Sequence, residues 1–219
     1  MSTLEYNEKG FSFLRNVSLA YVKFIRPEKK YESNEEEYTL CAVMDKATHK
    51  EWKKVFKKNK CKEVDTADFK KQYLFDAPYP EQDEQYIYKF RVDKTFGKGW
   101  TDKKNGIEYA AGSDVPVSWL PTILKPNPDG TNEDITFKTE IQNGSKADIA
   151  LTTKSNDFGT FVKLNAVLVT DLIEYEAAGG GGAFGAVVGG GTAKVEATKE
   201  TPKQSQPEPE IDFDDTIPF

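Results

Sequence analysis

The alternation of apolar and polar positions divides the chain into a patterned body and an aperiodic end. Residues 1–9 show no period and predict a short frayed arm. From Phe11 to Ile25 apolar residues are dense, and Phe11, Phe13, Val17, Leu19 and Tyr21 share one parity. That spacing predicts a long strand, which Pro27 should end. The polar run from Glu28 to Glu37 reads as a loop. Tyr38, Leu40, Ala42 and Met44 then alternate with Thr39, Cys41 and Val43, a second strand partly buried on both faces. Asp45 is a suitable N-cap for a helix. Thr48, Trp52, Val55, Phe56 and Asn59 recur at helical spacing after it, with Lys50, Lys53, Lys54, Lys57 and Lys58 on the other side. Asp65 to Tyr73 predicts a second, short helix.

After the proline-broken acidic loop Pro78–Glu84, Tyr86, Tyr88, Phe90 and Val92 form one face of a strand that carries Lys89 and Arg91 on the other. Glycines flank Lys98, and Asn105-Gly106 follows Lys103 and Lys104, so Phe96–Gly106 predicts a turn or hairpin tip. Val115, Val117 and Trp119 predict a short strand, and Pro121–Gly130 a stiff loop. From Lys146 the alternation is clean: Ala147, Ile149 and Leu151 inward, Lys146, Asp148, Thr152 and Lys154 outward. After an Asn156–Gly159 turn the last strand should run to Tyr175, with Val162, Leu164, Ala166 and Leu168 inward and Phe161, Lys163 and Asn165 outward. Short strands with one or two inserted helices predict an all-β class and a closed barrel. Periodicity stops after Tyr175. Gly179–Gly182, Gly189–Gly191, Pro202, Pro207 and Pro209 mark a flexible linker. The expected division is a body over 1–176, a linker over 177–210 and an acidic, disordered tail that ends in a tip over 211–219.

Charge changes this picture once it is divided. The chain carries −6, but from Ala177 onward seven acids outweigh three lysines, so the body holds only −2. Within the body, Lys46 to Lys62 contains eight lysines and one acid, and Lys89 to Lys104 six basic residues and two acids. An acidic protein can thus present a basic groove. Candidate phosphate contacts are Lys89, Arg91, Lys98, Lys103, Lys104, Lys146, Lys154 and Lys163. Candidate base-stacking rings are Phe96, Trp100 and Phe161, because aromatic and cationic side chains together suit unpaired polynucleotide. Each has a plainer reading: Phe96 as core, Phe161 as cover for a sheet edge, the lysines as solvated surface. Trp119, close to Pro121, reads as core. Cys41 and Cys61 fit no metal-ligand spacing, and His49 is the lone histidine, which removes most zinc and histidine-based chemistry. No cofactor, metal or catalytic residue is expected. With no membrane-length apolar run and no leader pattern, the expected location is cytoplasmic.

The last nine residues are Ile211-Asp212-Phe213-Asp214-Asp215-Thr216-Ile217-Pro218-Phe219. They offer a partner a ring and carboxylates. This stretch resembles the C-terminal tip of bacterial single-stranded DNA-binding proteins, an acidic run closed by Ile-Pro-Phe, with Thr216 where that family usually keeps an acid. The body is similar to phage single-stranded DNA-binding proteins of the OB fold. The likeness rests on the long opening strand, the Lys-rich helix after the second strand, and the closing strand pair with Gly144-Ser145 and Gly159. The resemblance implies a five-stranded OB barrel that coats single-stranded DNA in replication, repair and recombination. It also implies that Asp212, Phe213, Asp214, Asp215, Ile217, Pro218 and Phe219 dock on replication and repair proteins (polymerase, helicase or primase, nuclease, recombination factors). A homodimer stays open. Two rival readings are a host-protein decoy adaptor that uses the tip with little DNA binding, and a metal-dependent nuclease. For the second, no paired acids emerge at strand ends as a two-metal site needs.

Overall fold

The structure, a computed structural model, describes residues 1–7, 11–30, 33, 35–156 and 159–174. The expected linker and tip lie outside these. Met1–Glu174 forms one compact unit. In chain order its elements are β1 (Thr3–Glu5), β2 (Phe11–Lys29), β3 (Glu36–Met44), α1 (Lys46–Val55), β4 (Lys62–Asp65), α2 (Thr66–Tyr73), β5 (Glu84–Asp93), β6 (Trp100–Asp102), β7 (Ile107–Tyr109), β8 (Thr122–Pro126), β9 (Asn132–Asp134), β10 (Lys146–Asn156) and β11 (Gly159–Asp171). The class is all-β with two inserted helices. Among the described residues nine strands form one sheet, ordered β4-β5-β3-β2-β10-β11-β8-β9 with β1 on β2, while β6 and β7 pair apart. The five long strands β5-β3-β2-β10-β11 are contiguous in it. Its hydrogen-bonded path is open rather than closed: β5 and β11 touch without a ladder between them.

The core lies on the inward faces of the long strands. Leu14, Val17 and Leu19 of β2, Leu40, Ala42 and Met44 of β3, and Ile149 and Leu151 of β10 are fully buried. Helix α1 plugs this core. Asp45 caps it, its Oδ1 accepting from the Thr48 amide at 2.8 Å. Trp52 is wholly buried, its ring 4.6 Å from Phe56 and 4.7 Å from Tyr88, and its indole N–H donates to the Asn59 carbonyl at 2.8 Å.

Several expectations change in the structure. The first residues do not fray: β1 pairs with β2, and Ser2 is buried against the start of α1, its amide donating to Asp45 at 2.8 Å. Pro27 does not end β2, which runs on to Lys29. Pairing with β3 is irregular between Lys23 and Glu28, so the ladder bond that proline cannot make is not demanded there. Val117–Trp119 is one turn of 3-10 helix, and the prolines of the stiff loop flank β8 and its turn to β9, with β8 parallel to β11. Two bulges flip face assignments. Asn16, at φ 51°, separates Phe11 and Phe13, which face out, from Val17, which faces in; Ser12 and Leu14 take the inner positions. On β11, Leu164 pairs with Leu151 but Ala166 with Ala150, so Asn165 is extra and the inward set beyond it is Val167 and Val169.

Candidate nucleic-acid interface

A short hairpin grows from the end of β5. Its base is closed by the Thr95–Asp114 bridge and by exchange between Phe96 and the 112–113 backbone, the Phe96 amide to the Ser113 carbonyl at 2.9 Å and the Gly112 amide to the Phe96 carbonyl at 2.7 Å. Trp100 pairs with Tyr109 across β6 and β7. At the tip Gly106 takes φ 69°, a conformation glycine adopts without strain. The Asp102 carboxylate accepts from the Asn105 side-chain amide at 2.7 Å and the Lys104 backbone amide at 3.0 Å, which holds its pKa below the usual range. The expected hairpin tip is therefore present, and its lysines are carried on a braced turn.

Four rings converge on this hairpin. Phe96 lies parallel to Trp100 with centroids 6.1 Å apart, Phe96 and Tyr109 are 4.9 Å apart, and Trp119 meets Trp100 edge-on at 5.1 Å. Trp119 is thus part of the ring cluster and half-exposed, not core. Phe96 is half-buried within the cluster and outside the main core. Trp100 keeps 45% of its surface exposed. Lys98, Lys103 and Lys104 are exposed, and among the described residues none makes a salt bridge.

Lys89, Arg91 and Lys146 are placed differently from the sequence expectation. Lys89 donates to Glu28, and the Arg91 Nε lies 3.7 Å from a Glu37 carboxylate oxygen. Lys94 pairs with Glu36, and Lys30 reaches Glu35 and Asp93, both at 2.8 Å. Acids of β2 and β3 thus offset Lys89 and Arg91 of β5 and Lys94 just after it, while Lys30 is held by Glu35 and Asp93. Glu37 is almost fully buried, and burial pushes its carboxyl above the ordinary range against the pull of Arg91 and Lys89. Lys146 is half-buried. Its ammonium donates to the Ser18 hydroxyl at 2.6 Å and lies 6.0 Å from the Tyr79 ring centre, and burial lowers its pKa. These three cations are structural partners first.

The β10–β11 hairpin presents Phe161, 39% exposed, and an exposed Lys163 on its outer face, as the alternation predicts. Lys154 stands opposite Phe161 in the ladder; its side chain lies outside the described residues. Lys58 of the turn after α1 lies beside the hairpin end, where a Cβ on Gly159 would meet its Cγ at 3.1 Å. The Asn59 side chain ties that turn to the Thr160 carbonyl at 3.0 Å. Sequence reasoning missed two aromatic contributors. Phe11 is 50% exposed on the face of Phe161, hidden from a parity reading by the Asn16 bulge. Tyr109 carries a ring into the hairpin cluster, and its placement opposite Trp100 depended on the register of the tip.

Among the described residues no group of three or more His, Cys, Asp or Glu side chains is placed to hold a metal ion, and no helix is long and apolar enough to cross a membrane. Burial pushes the Cys41 and Cys61 thiols up to about 12, far from reactive thiolate. No protein-family model and no curated protein matches the sequence. Solved structures similar in chain path include the single-stranded DNA-binding protein from bacteriophage Enc34 in complex with ssDNA (15% identity, 75% of this chain and 88% of that one, TM-score 0.39). A C-terminal truncation of that protein is similar at 17% identity over 78% and 95%, TM-score 0.41. So is gp2.5, encoded by bacteriophage T7, at 14% identity over 90% and 99%, TM-score 0.38. Both proteins are described as single-stranded DNA-binding.

Proposed function

We propose that this chain binds single-stranded DNA without regard to sequence, coating unpaired strands during phage replication, repair and recombination. The observation that carries the reading is the hairpin cluster. Trp100 faces solvent among Phe96, Tyr109 and Trp119, on a braced turn whose Lys98, Lys103 and Lys104 are held by no acid among the described residues. Unpaired bases have ring faces to stack and a flexible anionic backbone, and neither contact reads sequence. Phe161, Lys163 and Lys154 extend the surface on the other hairpin. Lys89, Arg91 and Lys146, already engaged within the protein, contribute less than the hairpin lysines. Residues 211–219 serve as the segment that recruits replication and repair proteins, with Phe213, Ile217, Pro218 and Phe219 filling an apolar pocket and Asp212, Asp214 and Asp215 meeting basic rims.

Titration of a fluorescent single-stranded oligonucleotide with wild type and Trp100→Ala tests the reading. Loss of the ring should weaken binding by about 1–3 kcal/mol, the worth of one stacked base. Unchanged affinity would refute the assignment of this cluster.

A further inference from the structure

We propose a second ring platform for the same unpaired strand, on the outer face of β2, β10 and β11, with Phe11 at its far end. It rests on the single-strand reading above. Phe11 opens β2, whose Leu14, Val17 and Leu19 are fully buried, yet is 50% exposed, because the left-handed Asn16 turns the segment before it outward. In register, Phe11, Thr152 and Lys163 form one row across three strands, and Phe161 lies two residues along β11 on the same face. Strand spacing of about 4.8 Å and rise of about 3.3 Å per residue set the two exposed rings roughly 12 Å apart. A strand can bridge that gap in a few nucleotide steps.

Charge selects the occupant. Lys163 makes no salt bridge among the described residues, and neither does Lys58 beside the hairpin end. Two acids of this face, Asp148 and Glu5, share Arg15, at 3.1 and 3.0 Å, and Asp171 stands opposite Lys146 at the far end of the ladder. Around the two exposed rings, among the described residues, stand Lys163 and Lys58, neither in a salt bridge. A polyanion with flat bases complements that surface, whereas a second copy of the same face would meet like charge.

The test compares oligothymidylates at the short end of the ~4–16 nucleotides that one such domain covers with longer ones that exceed it. Phe11→Ala should weaken the longer oligomers about tenfold and the shortest ones by less, since the Trp100 hairpin also binds them. Phe11→Trp should restore the loss. Phe11→Leu keeps apolar bulk without a ring face and should not; it also guards against misfolding, with thermal stability measured for each variant. If Phe11→Ala and Phe11→Leu match wild type at every length while Trp100→Ala weakens binding, the platform is wrong and the single-strand reading stands. If wild type binds no oligomer, the reading itself fails. A change in sedimentation of Phe11→Ala without oligonucleotide would make the face a contact between copies and overturn the proposal.

Discussion

Trp100 and Lys89 are both residues that a sequence reader assigns to DNA, yet their surroundings separate them. Trp100 has ring neighbours on two sides and solvent on the rest, whereas Lys89 is turned into an ion pair with Glu28 and is mostly covered. Phosphate contacts made by free lysines release counterions; a lysine that already holds a carboxylate gains less by changing partner. Lys103→Ala with Lys104→Ala should therefore flatten the salt dependence of single-strand binding by about 1.4 log units per log of salt, two contacts at about 0.7 each. Lys89→Ala should instead lower thermal stability and leave that slope nearly unchanged. Glu37 adds a pH signature. Its folded pKa is raised by burial, so its contribution to stability is full below the ordinary glutamate range and is lost as pH rises through the raised value. Glu37→Gln removes a buried charge, so thermal melts of the variant should show higher stability at neutral pH and a flatter profile above pH ~4. A variant less stable than wild type at neutral pH would show that the pair with Arg91 outweighs the burial.

At the scale of elements, the two bulges decide which side chains reach the surface. Asn16 at φ 51° is held by the Asp148 carboxylate, which accepts its backbone amide at 2.9 Å, and Asn165 is the extra residue between Leu164 and Ala166 on β11. Asn16→Gly should leave stability within a few tenths of a kcal/mol. Asn16→Val should cost about 1–2 kcal/mol, since a β-branched residue resists the left-handed region. Urea unfolding of the two variants measures the difference. These bulges also mark where the sequence stops being readable. Strict alternation placed β3 and β5 and put the right face of the start of β10 inward, the helical period and its Asp45 cap placed α1, and Asn105-Gly106 placed the hairpin tip. Parity cannot show an inserted residue, because the residue that breaks it is an ordinary asparagine whose left-handed backbone is stabilised by a partner 132 positions away. For the same reason the outward side of Phe11 and the switch to Val167 and Val169 were hidden. The acids that neutralise Lys89 and Arg91 lie in a segment legible only as a polar loop, and their pairing depends on the registers of β2, β3 and β5.

For the whole molecule, the sequence sets an acidic end against a body whose exposed hairpins are basic. We propose that the acidic end, a polyanion like a DNA strand, competes with it for that cationic surface; covalent tethering sets its effective concentration on the order of millimolar. Deleting residues 211–219 should tighten single-strand binding at low salt, have little effect at high salt, and abolish capture of partner proteins; weaker binding on deletion would contradict the competition. The central claim concerns the body alone, that its rings and free lysines hold unpaired polynucleotide. Its most direct test is parallel titration of single-stranded and duplex oligonucleotides across a salt series. The account predicts tighter binding of the single strand, with log affinity falling linearly in log salt by about 0.7 per phosphate contact. No binding in dilute buffer, or a preference for duplex, would contradict it.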